Sequence, residues 1–102
     1  MTMTFEQFRT NVEAWATERG IYEHSSDSAQ TLKAVSEMGE LADAIIKQDR
    51  GALIDALGDV VVCLVNVAAM NGLNLERCCE SAWHEIKDRK GHMVEGGAFV
   101  KE

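Results

Sequence analysis

The stretch SEMGELADAIIKQDRGALIDALGDVVVCLVNVAAM, residues 36–70, decides the fold. Its second half carries DVVVCLVNV, residues 59–67, rich in the β-branched residues that suit a strand. A strand there has few plausible partners elsewhere in the chain. Wound as a helix at about 100° per residue, the segment sets Asp55, Asp59 and Asn66 within about 40° of one another. Nearly every other side chain on it is apolar, Ile54, Leu57, Val61, Leu64 and Val65 among them. A helix apolar on almost all sides is normally buried on almost all sides. Its acidic line is therefore not the wet face of an ordinary amphipathic helix, and the spacing predicts a helix from about Ala52 to Met70.

The preceding helix is expected to be capped by Asp27 or Ser28, Asp27 and Gln30 having capping-box spacing, and to reach Lys47 or Gln48. On it Gln30, Lys33, Glu37, Glu40 and Lys47 share an arc of roughly 100°, flanked by Ala34, Leu41 and Ile45. QDRG, residues 48–51, is a short turn. Two antiparallel helices joined by it bring Glu37 and Glu40 opposite Asp55 and Asp59. Four carboxylates gathered among apolar neighbours repel one another unless a cation joins them. Oxygen ligands suit Mg²⁺, or Mn²⁺, held together with phosphates and water. Glu37, Glu40, Asp55 and Asp59 are thus the expected metal ligands, and Gly58 beside Asp59 leaves room for a close approach. Singly, each acid also has an ordinary use. Glu37 and Glu40 can pair with Lys33 and Lys47 along the helix, and Asp55 suits a first helical turn. Asp59 resists that reading, because it lies well inside the apolar segment.

On either side of this pair, a first helix is expected from about Thr4 to Arg19 and a last one from about Leu75 to Arg89. IYEHSSDS, residues 21–28, reads as a loop, and KGHMVEGGAFVKE, residues 90–102, as an irregular or short hairpin-like tail. A chain of 102 residues with 46% apolar and 26% charged residues is a single globular domain, 1–102, of all-α class. Its formal charge of −7 argues against binding a nucleic-acid polymer, which calls for a basic face. It does not exclude small phosphorylated ligands, since a bound cation inverts the local sign. No apolar run is expected to reach the roughly 18–20 residues of a membrane span, because Asp59 and Asn66 interrupt the best one. Three cysteines without a disulfide framework or a signal peptide read as reduced thiols in a cytoplasmic protein. The apolar helix also argues against a monomer.

KAVSEMGELADAIIK, DALGDVVVCLVNVA and AWHEIKDRKGHMVEGGAFVKE together resemble the MazG-like nucleotide pyrophosphohydrolases, in particular the short single-domain forms of phages and bacteria. The resemblance runs from about Trp15 to the C-terminus. It implies an all-α four-helix MazG-like bundle working as a homodimer or homotetramer, in the host cytoplasm if phage-encoded. It further implies Mg²⁺-dependent hydrolysis of nucleoside triphosphates, ribo or deoxy, to the monophosphate and pyrophosphate. Glu37 and Glu40 match the second and third glutamates of the family pattern, and Asp59 matches its final aspartate. Ser36 and Ala56 stand where two further glutamates are usual, so Asp55 is expected to substitute for the acid missing at Ala56. Glu37 and Glu40 are then the expected catalytic residues.

Other substrate contacts follow from charge and shape. Lys87, Arg89 and Lys90 form a basic cluster suited to clamping a triphosphate, although cations also favour a helix C-terminus in their own right. Lys33 and Lys47 flank the glutamates. Asn66 can bond a sugar or base, or satisfy a buried group. Trp15 can stack on a base or serve the core. The alternative to an enzyme is a non-catalytic helical dimer whose acidic cleft binds a nucleotide, a metal ion or a partner protein.

Overall fold

The computed structural model describes residues 2–102. At its centre α3 (Asp27–Ile46) and α4 (Arg50–Met70) form an antiparallel hairpin. The β-branched run is helical, as the alignment of its polar residues required. Ala34 and Ala44 on α3 and Ala56, Cys63 and Ala68 on α4 are buried. Small side chains at these positions let two backbones come close, so the seam is built from what is short rather than from what is large. Asn66 reaches Gln30 across the seam, and Asp59 acts on Glu37, which fixes the register about the intervening turn.

The caps depart from expectation. Ser26, not Asp27 or Ser28, caps α3, because its extended backbone lets its hydroxyl accept from Ala29 N–H at 3.0 Å. A cap of this kind contributes about 1 kcal/mol. Asp27 becomes the first-turn acid. Helix α4 starts at Arg50, two residues early, because Asp49 accepts from Ala52 N–H at 3.1 Å. The turn between them places Gln48 at φ 54°, a left-handed conformation without glycine.

Helix α1 (Phe5–Glu18) is closed at its start by Thr4 and Gln7, each bonding the other's backbone N–H, and buries Val12 and Ala16. The expected loop after it contains one helical turn, α2 (Ile21–His24), entered through Gly20 at φ 74°. Helix α5 (Leu75–Ile86), capped by Asn74, ends three residues before Arg89. Its first turn is tied to α1 through Arg9, which bonds both Glu13 at 2.7 Å and Glu76 at 2.5 Å. The tail is a two-stranded hairpin, β1 (Gly91–Met93) against β2 (Phe99–Lys101), with His92 paired to Val100.

One apolar surface has no cover. Leu32, Val35, Ile45 and Ile46 on α3 and Ile54 and Leu57 on α4 are each at least half exposed. The accessible surface is 7670 Å², against about 5,700 Å² for a compact monomer of this mass. The radius of gyration is 16.1 Å, against about 13 Å for a compact chain of this length. By length and composition α4 does meet the requirement for a membrane span, with a mean hydropathy of 2.0 over 18 residues of which 28% are buried. The expectation that Asp59 and Asn66 rule this out is corrected: Ile, Leu and Val outweigh them in the average.

Candidate active site

A cavity of about 260 Å³ lies where α1, α3 and α4 meet. Helix α3 contributes Gln30, Lys33 and Glu37; α4 contributes Asp59, Val62, Cys63 and Asn66. Each set repeats at three or four residues, the spacing that keeps side chains on one helix face. Trp15 and Ile21 complete the wall.

The neighbouring acids act on Glu37. A hydrogen bond shared with Glu40 is the chief reason its carboxyl titrates above the ordinary carboxylate range. Partial burial and the charges of Glu40 and Asp59 add to this, while Lys33 opposes it. Sharing that bond requires a proton on one of the two acids. With both ionised there is no donor between them, and Glu37 Oε2 is buried without any hydrogen-bond partner. The thiol of Cys63 is also pushed up, first by burial, with Glu37 and Asp59 adding and Lys33 opposing.

An orphaned carboxylate oxygen beside two further acids fits a hard divalent cation. Among the described residues, no three Asp, Glu, His or Cys side chains form a finished metal cage. This is compatible with Mg²⁺, which is ordinarily held by one or two carboxylates while substrate phosphates and water complete its shell.

The four expected ligands are not equivalent. Glu40 and Asp59 both act on Glu37, whereas Asp55 is not among the charges that move it, and of the four only Glu37 and Asp59 line this cavity. Ala56, where the family pattern has an acid, is 3% exposed and faces inward. The register that sets Asp59 against Glu37 sets Ala56 against Glu40. Asp55 lies one residue round the helix from that inward position, so it does not replace the missing acid like for like. At Gly58 no side chain or neighbouring backbone lies within 4 Å of where its Cβ would be, so the space beside Asp59 is open and no other helix takes it up.

Of the expected substrate contacts, Lys33 and Trp15 line the cavity. Asn66 lines it too, but it is 2% exposed and its amide is engaged at both ends. Its Oδ1 accepts from Tyr22 O–H at 2.8 Å, and its Nδ2 donates to Gln30 Oε1 at 3.3 Å. Gln30 Nε2 in turn donates to Ser25 Oγ at 3.3 Å, so Gln30 is occupied by this chain of bonds rather than by capping. Asn66 here braces α2, α3 and α4. Lys47 caps the far end of α3. Arg89 and Lys90 belong to a separate cleft of about 410 Å³ shared with Glu85, Asp88, Lys101 and Glu102. Lys87 caps α5, and Arg89 approaches Glu85 at 3.7 Å.

Tyr22 escaped the sequence reading because its segment carries loop-forming residues and no helical period. So did a second cavity, of about 490 Å³, where Met3, Phe8, Asn11 and Val12 meet Trp15, Asp59 and Val62. Phe8 and Val12 read as ordinary core positions, and nothing in their spacing marks a cleft.

A profile of the MazG nucleotide pyrophosphohydrolase domain matches residues 26–94. The chain is 32% identical over 69 residues to an uncharacterized 18.2 kDa protein of the rep-hol intergenic region of Haemophilus phage HP1 (strain HP1c1). That match covers 68% of this chain and 42% of the phage protein, so the chain spans less than half of its relative's length. No solved structure matches it significantly. The profile takes in α3, α4 and α5 and every acid of the cavity, and on that ground the chain belongs to the MazG nucleotide pyrophosphohydrolase family.

Proposed function

We propose that the protein is a Mg²⁺-dependent nucleoside triphosphate pyrophosphohydrolase that converts a ribo- or deoxynucleoside triphosphate and water to the monophosphate and pyrophosphate. The observation that carries this reading is Glu37, half-buried with an unpartnered Oε2 beside Glu40 and Asp59, in a cavity also lined by Lys33. Glu37, Glu40 and Asp59 are the residues that would hold the metal, with Asp55 as a fourth, outlying acid. Bound Mg²⁺, or Mn²⁺, supplies positive charge for the phosphates and makes a neighbouring water more acidic. Glu37 or Glu40 orients the attacking water and accepts its proton. The water oxygen bonds to the α-phosphorus as the bond to the pyrophosphate oxygen breaks in line with it. Lys33 offsets charge on the phosphates from inside the cavity. Lys47, Lys87, Arg89 and Lys90 do so from outside it, as supplementary contacts.

In this reading the active form is a homodimer or homotetramer, in the cytoplasm. The supporting observation is the surface excess of about 2,000 Å² over a compact monomer, together with exposed apolar residues on α3 and α4. Standard interfaces bury about 800 Å² per partner, so two or three such contacts account for it.

The inward-facing Ala56 and the unfinished acid cluster favour one second reading, a helical oligomer that binds a nucleotide, metal or partner protein without turnover. Incubation with a panel of ribo- and deoxynucleoside triphosphates, with Mg²⁺ and with EDTA, separates the two. Monophosphate and pyrophosphate formed only with Mg²⁺ are expected. No turnover by folded protein would sink the enzymatic reading.

A further inference from the structure

Helix α5 carries an apolar stripe that the rest of the chain leaves bare. Leu75, Cys78, Cys79, Ala82, Trp83 and Ile86 fall within about 140° of one another at about 100° per residue. Only the first turn packs: Leu75 and Glu76 are half-buried, and every residue from Arg77 to Ile86 is exposed, Trp83 at 58%. A helix of 12 residues is marginal in water without a cover for its apolar face. The area points the same way. One standard interface on the α3–α4 face accounts for about 800 Å² of the surface excess and leaves about 1,200 Å² for a second contact.

The order of residues along the stripe says what covers it. About the midpoint between Glu80 and Ser81, Leu75 is matched by Ile86, Cys78 by Trp83 and Cys79 by Ala82. The short side chains, Cys79 and Ala82, stand at the centre and the long Leu75 and Ile86 at the ends. A stripe that is apolar alike in both directions is self-complementary, as a two-fold contact between identical chains requires. Short central residues let two helix axes approach to about 8 Å. Glu76 and Glu85 lie on opposite flanks, each about 13 Å or more from its own mate, so like charges do not meet. We propose that α5 pairs antiparallel with α5 of a second copy about this midpoint, and that two such pairs join two α3–α4 dimers into a homotetramer. The proposal rests on the oligomeric reading of the α3–α4 face and adds the second interface. One stripe on 12 residues is smaller than a standard interface, so a single α5 pair does not hold two chains by itself. Two pairs between dimers do, because the second forms at the high effective concentration set by the first.

The two adjacent thiols test the register. With the axes about 8 Å apart, the Cα atoms of Cys79 and the partner subunit's Cys79 lie about 6 Å apart, within disulfide range. Those of Cys78 and the partner subunit's Cys78 lie about 10 Å apart, outside it. Diamide takes two electrons and two protons from a thiol pair and leaves the disulfide. After this treatment, non-reducing electrophoresis is expected to show a two-chain band in the natural protein and in Cys78→Ser, and none in Cys79→Ser. Ala82→Glu puts a charge at the centre of the stripe, at a position exposed within the chain. It is expected to halve the sedimenting mass from four chains to two with the helical circular-dichroism signal unchanged. A crosslink through Cys78, no crosslink in folded Cys78→Ser, or a mass unmoved by Ala82→Glu overturns the proposal. Halving by Ala82→Glu without the Cys79 crosslink puts another surface against the stripe, and the pairing falls too. If Val35→Glu, Leu57→Glu leaves the mass unaltered while the Cys79 crosslink forms, the α3–α4 reading falls and the α5 pairing stands.

Discussion

A half-buried glutamate with an unpartnered oxygen is costly in any protein, and Glu37 bears that cost in the absence of a cation. Glu37→Gln removes the charge and keeps the shape. It is expected to abolish turnover, retain the helical circular-dichroism signal and raise the melting temperature of metal-free protein near neutral pH; retained turnover would remove Glu37 from the mechanism. The titration gives a second check. Because the folded-state pKa of Glu37 is raised above its unfolded value, the folded state binds the proton more tightly. Its contribution to stability is fully present below the unfolded carboxylate range and is lost as pH rises through the raised folded value. In EDTA, stability measured by denaturant titration should therefore decline over that interval. Mg²⁺ should restore stability at the upper end, and a metal-independent profile would contradict the ligand role. Asn66 belongs to the same scale. Replacing it by Ala strands the Tyr22 hydroxyl and the Gln30 amide, at a cost of about 1–3 kcal/mol by the same titration. An unchanged midpoint would show that water replaces both bonds.

Among the elements, the α3–α4 hairpin is held by residues chosen for their shortness. Two of its three helical glycines, Gly39 and Gly58, meet nothing within 4 Å of an added Cβ. Gly58→Ala should therefore stabilise α4 by up to about 1 kcal/mol through helix propensity alone. A loss of stability instead would place another backbone against that position. The tail glycine behaves oppositely. The Phe99 ring and the Val100 carbonyl lie where a Cβ on Gly91 would have to sit. Gly91→Ala should open the β1–β2 hairpin, read as loss of amide-exchange protection confined to residues 91–101.

At the scale of the molecule, a single chain does not cover α4. Leu57 on α4 and Val35 on α3 are each more than half exposed, and an apolar surface of this extent marks an interaction site. The double variant Val35→Glu, Leu57→Glu is expected to reduce the sedimenting mass to that of one chain, with melting temperature falling and becoming independent of concentration. An unaltered assembly would place the interface elsewhere. Since α4 also carries Asp59, separation of the subunits should reduce turnover along with mass.

Much of this was legible in the chain. Polar residues four and then seven apart, from Asp55 through Asp59 to Asn66, made the β-branched run helical. The short QDRG turn made α3 and α4 antiparallel, and that alone brought Glu37, Glu40 and Asp59 together, because helix periodicity and turn length are local properties. Ser26 and α2 were missed because the choice among adjacent caps and a single helical turn depends on backbone angles that composition does not encode. Tertiary structure alone decided three further matters. Ala56 faces inward while Asp55 does not. The amide of Asn66 is spent on Tyr22 and Gln30. Asn11 lies in a cleft next to the acids. Each of these depends on how one helix is rotated against another, and that rotation is set by the packing of short side chains along the seam, a property of the pair that neither helix carries by itself.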